Sequence, residues 1–210
     1  MNPGYLAFIL IVILFILLAS GWKQTILQDI PHGKIVLFFV FWFLGCWYTW
    51  DGYGLSIHMA VVSQWMLVLG LLWGSRTIWR SIPWLLVSCL FAAFYFLFQE
   101  IYRANPVLTL ISLEFDLALS LGLLAIAMSR HLKMQMLILT AALLMGDTYL
   151  ALRHRHSMPV SIGGLRFQDV WWLTLFTARF GTLMLQGMMI AGRKTAAAWS
   201  KRQASWRNKR

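Results

Sequence analysis

The chain of 210 residues is 60% hydrophobic and only 12% charged, with a formal net charge of +11. Soluble domains average roughly 45–50% apolar and about 25% charged, so a water-soluble globule is excluded. The positive excess would suggest nucleic acid in a soluble chain, but here it gathers in short connections and the C-terminal stretch, with no finger, RNP or helix-turn-helix pattern; no nucleic-acid partner is expected.

About 20 apolar residues cross a hydrocarbon core roughly 30 Å thick. By that measure seven spans are predicted, near Gly4–Gly21, Lys34–Trp50, Leu55–Trp73, Ile82–Gln99, Val107–Met128, Met134–Leu152 and Asp169–Gly192. The first lacks a basic n-region and is long for a signal peptide, so it is read as a retained helix. Asp51-Gly52-Tyr53-Gly54 joins the second and third spans as a tight turn. Pro83 falls where a helix begins and needs no N–H donor, and Pro106 immediately precedes the fifth span. Cys46 and Cys89 lie inside apolar runs as packing thiols, without metal-ligand spacing. The expected fold is an all-α polytopic transmembrane bundle over residues 1–192, followed by a basic cytoplasmic tail over 193–210.

Of the 18 Lys and Arg residues, 13 fall on one side of this arrangement and 4 on the other, with Arg179 inside a span. The positive-inside rule then places the N-terminus outside and the C-terminus in the cytoplasm. Trp22, Trp50, Trp73, Trp79, Trp84, Trp171 and Trp172 fall near span ends, as an interfacial aromatic belt would. Small residues four apart, Gly70/Gly74, Ala118/Gly122 and Ala142/Gly146, permit close helix approach.

Ionisable groups at membrane depth are costly and commonly face a bundle interior. Glu114, Asp116, Asp147 and Arg179 are such groups, and Gln186 continues the stripe of Arg179 and Thr182. Counting from span ends, Glu114 and Asp116 lie ~10 and ~13 Å deep, Asp147 ~8 Å, and Arg179 ~15 Å beyond Asp169. These five residues are expected to form a polar cluster in the outer half of the bundle. Thr109, Ser112, Asp116 and Ser120 share one face of the fifth span, while Glu114 sits among leucines. Asp116 is therefore the preferred partner of Arg179. The alternatives are a proton or cation path, or a small-molecule pocket.

Arg153-His154-Arg155-His156, with His58 and Asp147, invites a metal, but the flanking arginines repel a divalent cation; no metal and no cofactor are expected. No G-x-S-x-G, H-E-x-x-H or Walker loop is present, so no enzyme is expected. In the tail, Trp199, Lys201, Arg202 and Trp206 are expected to meet anionic lipid at the cytoplasmic surface, each basic residue there contributing about 1 kcal/mol.

Gln99-Glu100 with Pro106, Gly146-Asp147-x-Tyr149, and Ile162-Gly163-x-Leu165-x-Phe167-x-Asp169 form a pattern over roughly residues 95–175. This pattern resembles the YphA-like membrane proteins of endospore-forming Gram-positive bacteria. The resemblance implies a plasma-membrane protein and carries no mechanism. The functional expectation is a non-enzymatic, structural or partner-binding membrane protein whose partners are the bilayer and another membrane protein. A small transporter or proton- or cation-linked carrier is the alternative.

Overall fold

The structure, a computed structural model, describes residues 2–27, 30–52, 55–73, 82–154 and 160–207. It is mostly helical. In chain order come α1 (Tyr5–Ala19), α2 (Lys23–Ile26), α3 (His32–Trp47), β1 (Thr49–Gly52), β2 (Leu55–His58), α4 (Ala60–Trp73), α5 (Ile82–Ala104), α6 (Leu113–Met128), α7 (Leu132–His154), β3 (Val160–Ile162) and α8 (Leu165–Arg207). Each expected span overlaps one of these helices, while α2 is a single turn between the first two.

Contacts between helices give their directions. Gly122 of α6 meets Thr177 and Ala178 of α8, and Gly181 of α8 meets Ile126 of α6, so the two helices run parallel. Tyr95 of α5 packs on Gly146 of α7 and Glu100 reaches His154, so that pair is parallel too. Asp169 binds the first turn of α1, which sets α1 beside α8 in the same direction. The β1–β2 hairpin turns α3 back into α4. The helices thus alternate, with the sheet, the start of α8 and the ends of α5 and α7 at one end.

The surface chemistry is the inverse of a soluble protein. Phe8, Ile16, Leu86, Leu90 and Met184 are each more than 60% exposed, while Gln64, Gln135, Gln168, Thr140 and Thr174 are at most 1% exposed. Such a surface needs an apolar solvent. Among the described residues, three helices are long and apolar enough to cross a membrane: Ile82–Ala104, Leu132–His154 and Leu165–Arg193.

Several expectations are corrected. The fifth span does not begin at Val107. Pro106–Leu108 forms a 3-10 turn, and α6 starts only at Leu113, where the Ser112 hydroxyl accepts a hydrogen bond from the Phe115 N–H. Glu114 and Asp116 therefore occupy the first helical turn, where negative charge faces unpaired backbone N–H groups. Thr109 and Ser112 lie outside the helix, so the four-residue polar stripe does not exist. The third span loses Leu55–His58 to a strand. β2 pairs antiparallel with β1 (Thr49↔His58, Gly52↔Leu55) and parallel with β3 (Leu55↔Val160, Ile57↔Ile162). Trp171 and Trp172 are buried, Trp171 donating to Thr140, so they belong to the core and not to a belt. Trp22, Trp50 and Trp73 are exposed near helix ends, and Trp79 lies outside the described residues. Cys89 is exposed on α5, not packed. Gly122 and Gly146 are helix contacts, whereas Gly70 meets nothing and Gly74 lies outside the described residues.

Helix α8 is one element of 43 residues, ~65 Å long, and runs without a break past residue 193. Trp199 on it is exposed, while the side chains of Lys201, Arg202 and Trp206 lie outside the described residues.

Candidate functional site

The sheet end of the bundle holds Asp51, Glu100, Glu114, Asp116, Asp147 and Asp169, but only part of the expected cluster forms there. An open cavity of ≈ 840 Å³ is bounded by β2, α5, α6, α7, β3 and α8. Its charged walls are Arg103, Arg166, Glu114 and Asp147, with His58 and His154 beside them. Tyr95 and Leu117, both at most 1% exposed, lie at its base.

Each wall residue is placed by a local device. Asp147 and His154 stand seven residues apart on α7, so they share a face. The Asp147 carboxylate accepts from the Gly163 N–H at 2.9 Å, which holds the turn between β3 and α8. Gly163 sits at φ +69, and a Cβ there would collide with Val61, so only glycine fits this turn. The Tyr95 hydroxyl accepts from Gln99 at 2.7 Å. His154 Nε2 lies 2.7 Å from Arg103 Nη1 and 3.0 Å from Glu100 Oε1. Nε2 either accepts from the arginine or donates to the carboxylate, so the ring tautomer sets the partner. Burial pushes the His58 imidazole below its ordinary value, against the pull of the Asp51 carboxylate.

Glu114 thus lines a cavity, with Leu113, Leu117, Leu150 and Leu165 in the same lining. Asp116 is 8% exposed and is consumed by structure, accepting from the Leu110 N–H at 2.8 Å and from the Tyr102 hydroxyl. The expected Asp116–Arg179 pair does not form. The α6–α8 register sets Asp116 level with about residue 171, which leaves Arg179 eight residues, or ~12 Å, toward the other end. There Arg179 donates to the Thr25 carbonyl. Gln186 lies a further two turns along and is half-exposed.

Two residues near the start of α8 organise the site from behind. The Gln168 oxygen accepts from Trp42 Nε1 at 3.0 Å and Gln64 Nε2 at 2.8 Å, and its nitrogen donates to the Gly163 carbonyl at 3.2 Å. Asp169 accepts from the N–H groups of Gly4 and Ala7 at 2.6 and 2.7 Å. The sequence places Asp169 at the start of the seventh span and shows neither of these roles. The available signal was a pair of polar residues immediately before the apolar run Val170–Leu173.

Gly146, Asp147, Ile162, Gly163, Leu165, Phe167 and Asp169 are thus the residues that build the cavity wall and its support, and they are also the residues of the recurring sequence pattern. Residues 34–205 match the family described as YphA-like integral membrane protein. The chain belongs to that family. No curated protein and no solved structure matches it. In this YphA-like chain Asp147 and Gln168 both hydrogen bond to the Gly163 backbone, which ties the end of α7 to the start of α8 across the β3 turn.

Proposed function

We propose that this YphA-like protein is a seven-span protein of the bacterial plasma membrane with its N-terminus outside and its C-terminus in the cytoplasm. Its outer cavity binds a small polar ligand carrying both charge signs, such as an amino acid or the terminus of a partner's chain, and performs no chemistry on it. The carrying observation is the cavity: Arg103 and Arg166 share one open space with Glu114 and Asp147, matching a ligand with a carboxylate and an ammonium group. Alternating helix directions and the 13-to-4 charge asymmetry support the span count and orientation.

Binding is favoured over transport by what lies beneath. Leu121, Ile138, Leu139, Ala142 and Leu143 are fully shielded and fill the bundle below the base of the cavity. An apolar plug of that kind opposes passage of a charged solute. Binding is favoured over catalysis because His154 is engaged with Arg103 and Glu100 and not with a hydroxyl or thiol.

The test uses the full chain in nanodiscs and a panel of amino acids and dipeptides. A panel member should raise the melting midpoint, and Glu114→Gln and Arg166→Gln should each abolish the rise with little change in the unliganded midpoint. Failure of every panel member to protect the wild type sinks the binding reading. Solute flux in proteoliposomes favours the carrier. Ser161→Cys should be labelled by an impermeant thiol reagent from outside and Arg193→Cys should not; the opposite result reverses the orientation.

A further inference from the structure

At the opposite end of the bundle, a second pocket of ≈ 80 Å³ lies between α1, α2, α7 and α8. Its walls are Leu10, Leu14, Leu17, Leu175 and Phe176, and into this apolar lining projects Arg179. The arginine is 5% exposed. Its Nη2 donates to the Thr25 carbonyl, while its Nε and Nη1 are buried and make no hydrogen bond. Gln135 and Trp172 border the same pocket, and each also keeps a buried polar atom without a partner.

A buried guanidinium with two idle donors is costly, and such groups persist where a partner is supplied. Nε and Nη1 lie on the two different edges of the planar fork, each beside an N–H of Nη2, so the edge not turned to Thr25 offers two parallel N–H bonds, the geometry that binds an oxyanion. The pocket lies near the inner ends of the helices. Gly122 and Ile126 set the end of α6, Met128, level with about residue 183 of α8, roughly one helical turn beyond Arg179. Leu14, Leu17, Leu175 and Phe176 are half-exposed, so the pocket wall reaches the lipid-facing surface. Exposed Arg130 and Lys133 stand in the same end region, at and after the α6–α7 connection, and attract anions toward it.

We propose that Arg179 and its leucine-lined pocket form an oxyanion-binding site at the inner end of the bundle. The guanidinium edge takes a phosphate or carboxylate, and the apolar wall suits an attached acyl chain. The anion comes from an inner-leaflet lipid headgroup or from free phosphate, and the pocket chemistry is the same for both. This site is independent of the outer cavity, since the shielded apolar layer separates them.

The full chain is held in dodecyl maltoside micelles, which carry no phosphate, with and without phosphatidylglycerol, and separately with inorganic phosphate. Melting midpoints and lipid retention in native mass spectrometry are recorded. Phosphatidylglycerol should raise the wild-type midpoint and remain bound. Arg179→Met should lose that rise and weaken retention ~10-fold or more, as expected for two charge-assisted hydrogen bonds. In maltoside without phosphatidylglycerol or phosphate the same variant should melt higher than wild type, because it buries no idle donor. Lys133→Gln should keep the rise. Protection by inorganic phosphate alone supports the site and identifies the free ion as its source. A wild type indifferent to both anions overturns the proposal, as does a rise that survives in Arg179→Met. Should Arg179→Met not fold, Leu14→Trp fills the pocket without changing charge. Undiminished lipid retention by Leu14→Trp is equally fatal, and its loss supports the site.

Discussion

Asp169 offers the sharpest test of how the bundle is held. It is 4% exposed and accepts hydrogen bonds from two backbone N–H groups of α1, Gly4 at 2.6 Å and Ala7 at 2.7 Å. The first four N–H groups of a helix have no intrahelical acceptor, and Gly4, the residue at the cap position, has no side chain to serve. A carboxylate from α8 therefore supplies across the tertiary contact what a local cap supplies elsewhere. Hydrogen bonds to a charged acceptor contribute ~1.5–3 kcal/mol each, and the helix dipole adds ~0.3–1 kcal/mol. Against that, Asp169→Ala removes the carboxylate's own burial cost, so the expected net loss is ~3 kcal/mol. For a chain of this length that is a fall of about 6–12 °C in melting midpoint. Asp169→Asn keeps one acceptor oxygen but turns its amide toward the other N–H, and should lose ~2 kcal/mol. The assay is thermal unfolding in detergent followed by circular dichroism, with hydrogen exchange of the first turn of α1 alongside. Exchange at Ala7 should accelerate selectively in both variants. A midpoint unchanged in Asp169→Ala, with Ala7 still protected, would refute the idea that this carboxylate anchors α1.

Three further outcomes are expected. Gln168→Leu strands the Trp42 and Gln64 donors and the Gly163 carbonyl, and should cost ~3 kcal/mol in thermal unfolding; a loss under ~1 kcal/mol says that water replaces the amide. Asp116→Asn and Arg179→Gln act at separate places, so the double variant should lose the sum of the single losses within ~0.5 kcal/mol, and a marked shortfall in a double-mutant cycle restores the direct pair. His58 titrates below its ordinary value of 6.5 because it is partly buried. The folded state therefore holds fewer protons than the unfolded state below that pH. Stability should be full above pH 6.5, decline as pH falls through the folded value and then level off. His58→Gln should flatten that part of the midpoint-against-pH curve, and an unaltered curve contradicts the assignment.

The sequence by itself determined the class and the rough placement of the helices. Composition excludes a soluble fold, and run length locates α1, α3, α4, α5, α6, α7 and α8 because apolar stretches of span length are a one-dimensional property of the chain. The spacing of seven residues between Asp147 and His154 also suffices to set them on one helical face. Run length misplaced the start of α6, where hydropathy runs on smoothly through Val107–Ile111 although Ser112 and the acids behind it mark a helix start.

Only the tertiary structure decided which polar residues meet. The β2–β3 pairing joins segments about a hundred residues apart, and no local pattern announces it. Asp116 and Arg179 looked suited to one another in charge and depth, but the parallel register of α6 and α8 separates them. Asp116 accepts instead from the Leu110 N–H, and Arg179 donates from one of its three nitrogens to the Thr25 carbonyl. Asp169 and Gln168 gained their roles the same way, from the Gly4 and Ala7 amides and from Trp42 and Gln64. A hydrogen bond forms only within about 3 Å, so its partner is set by how helices slide and rotate against one another, and side-chain type in the sequence does not encode that offset.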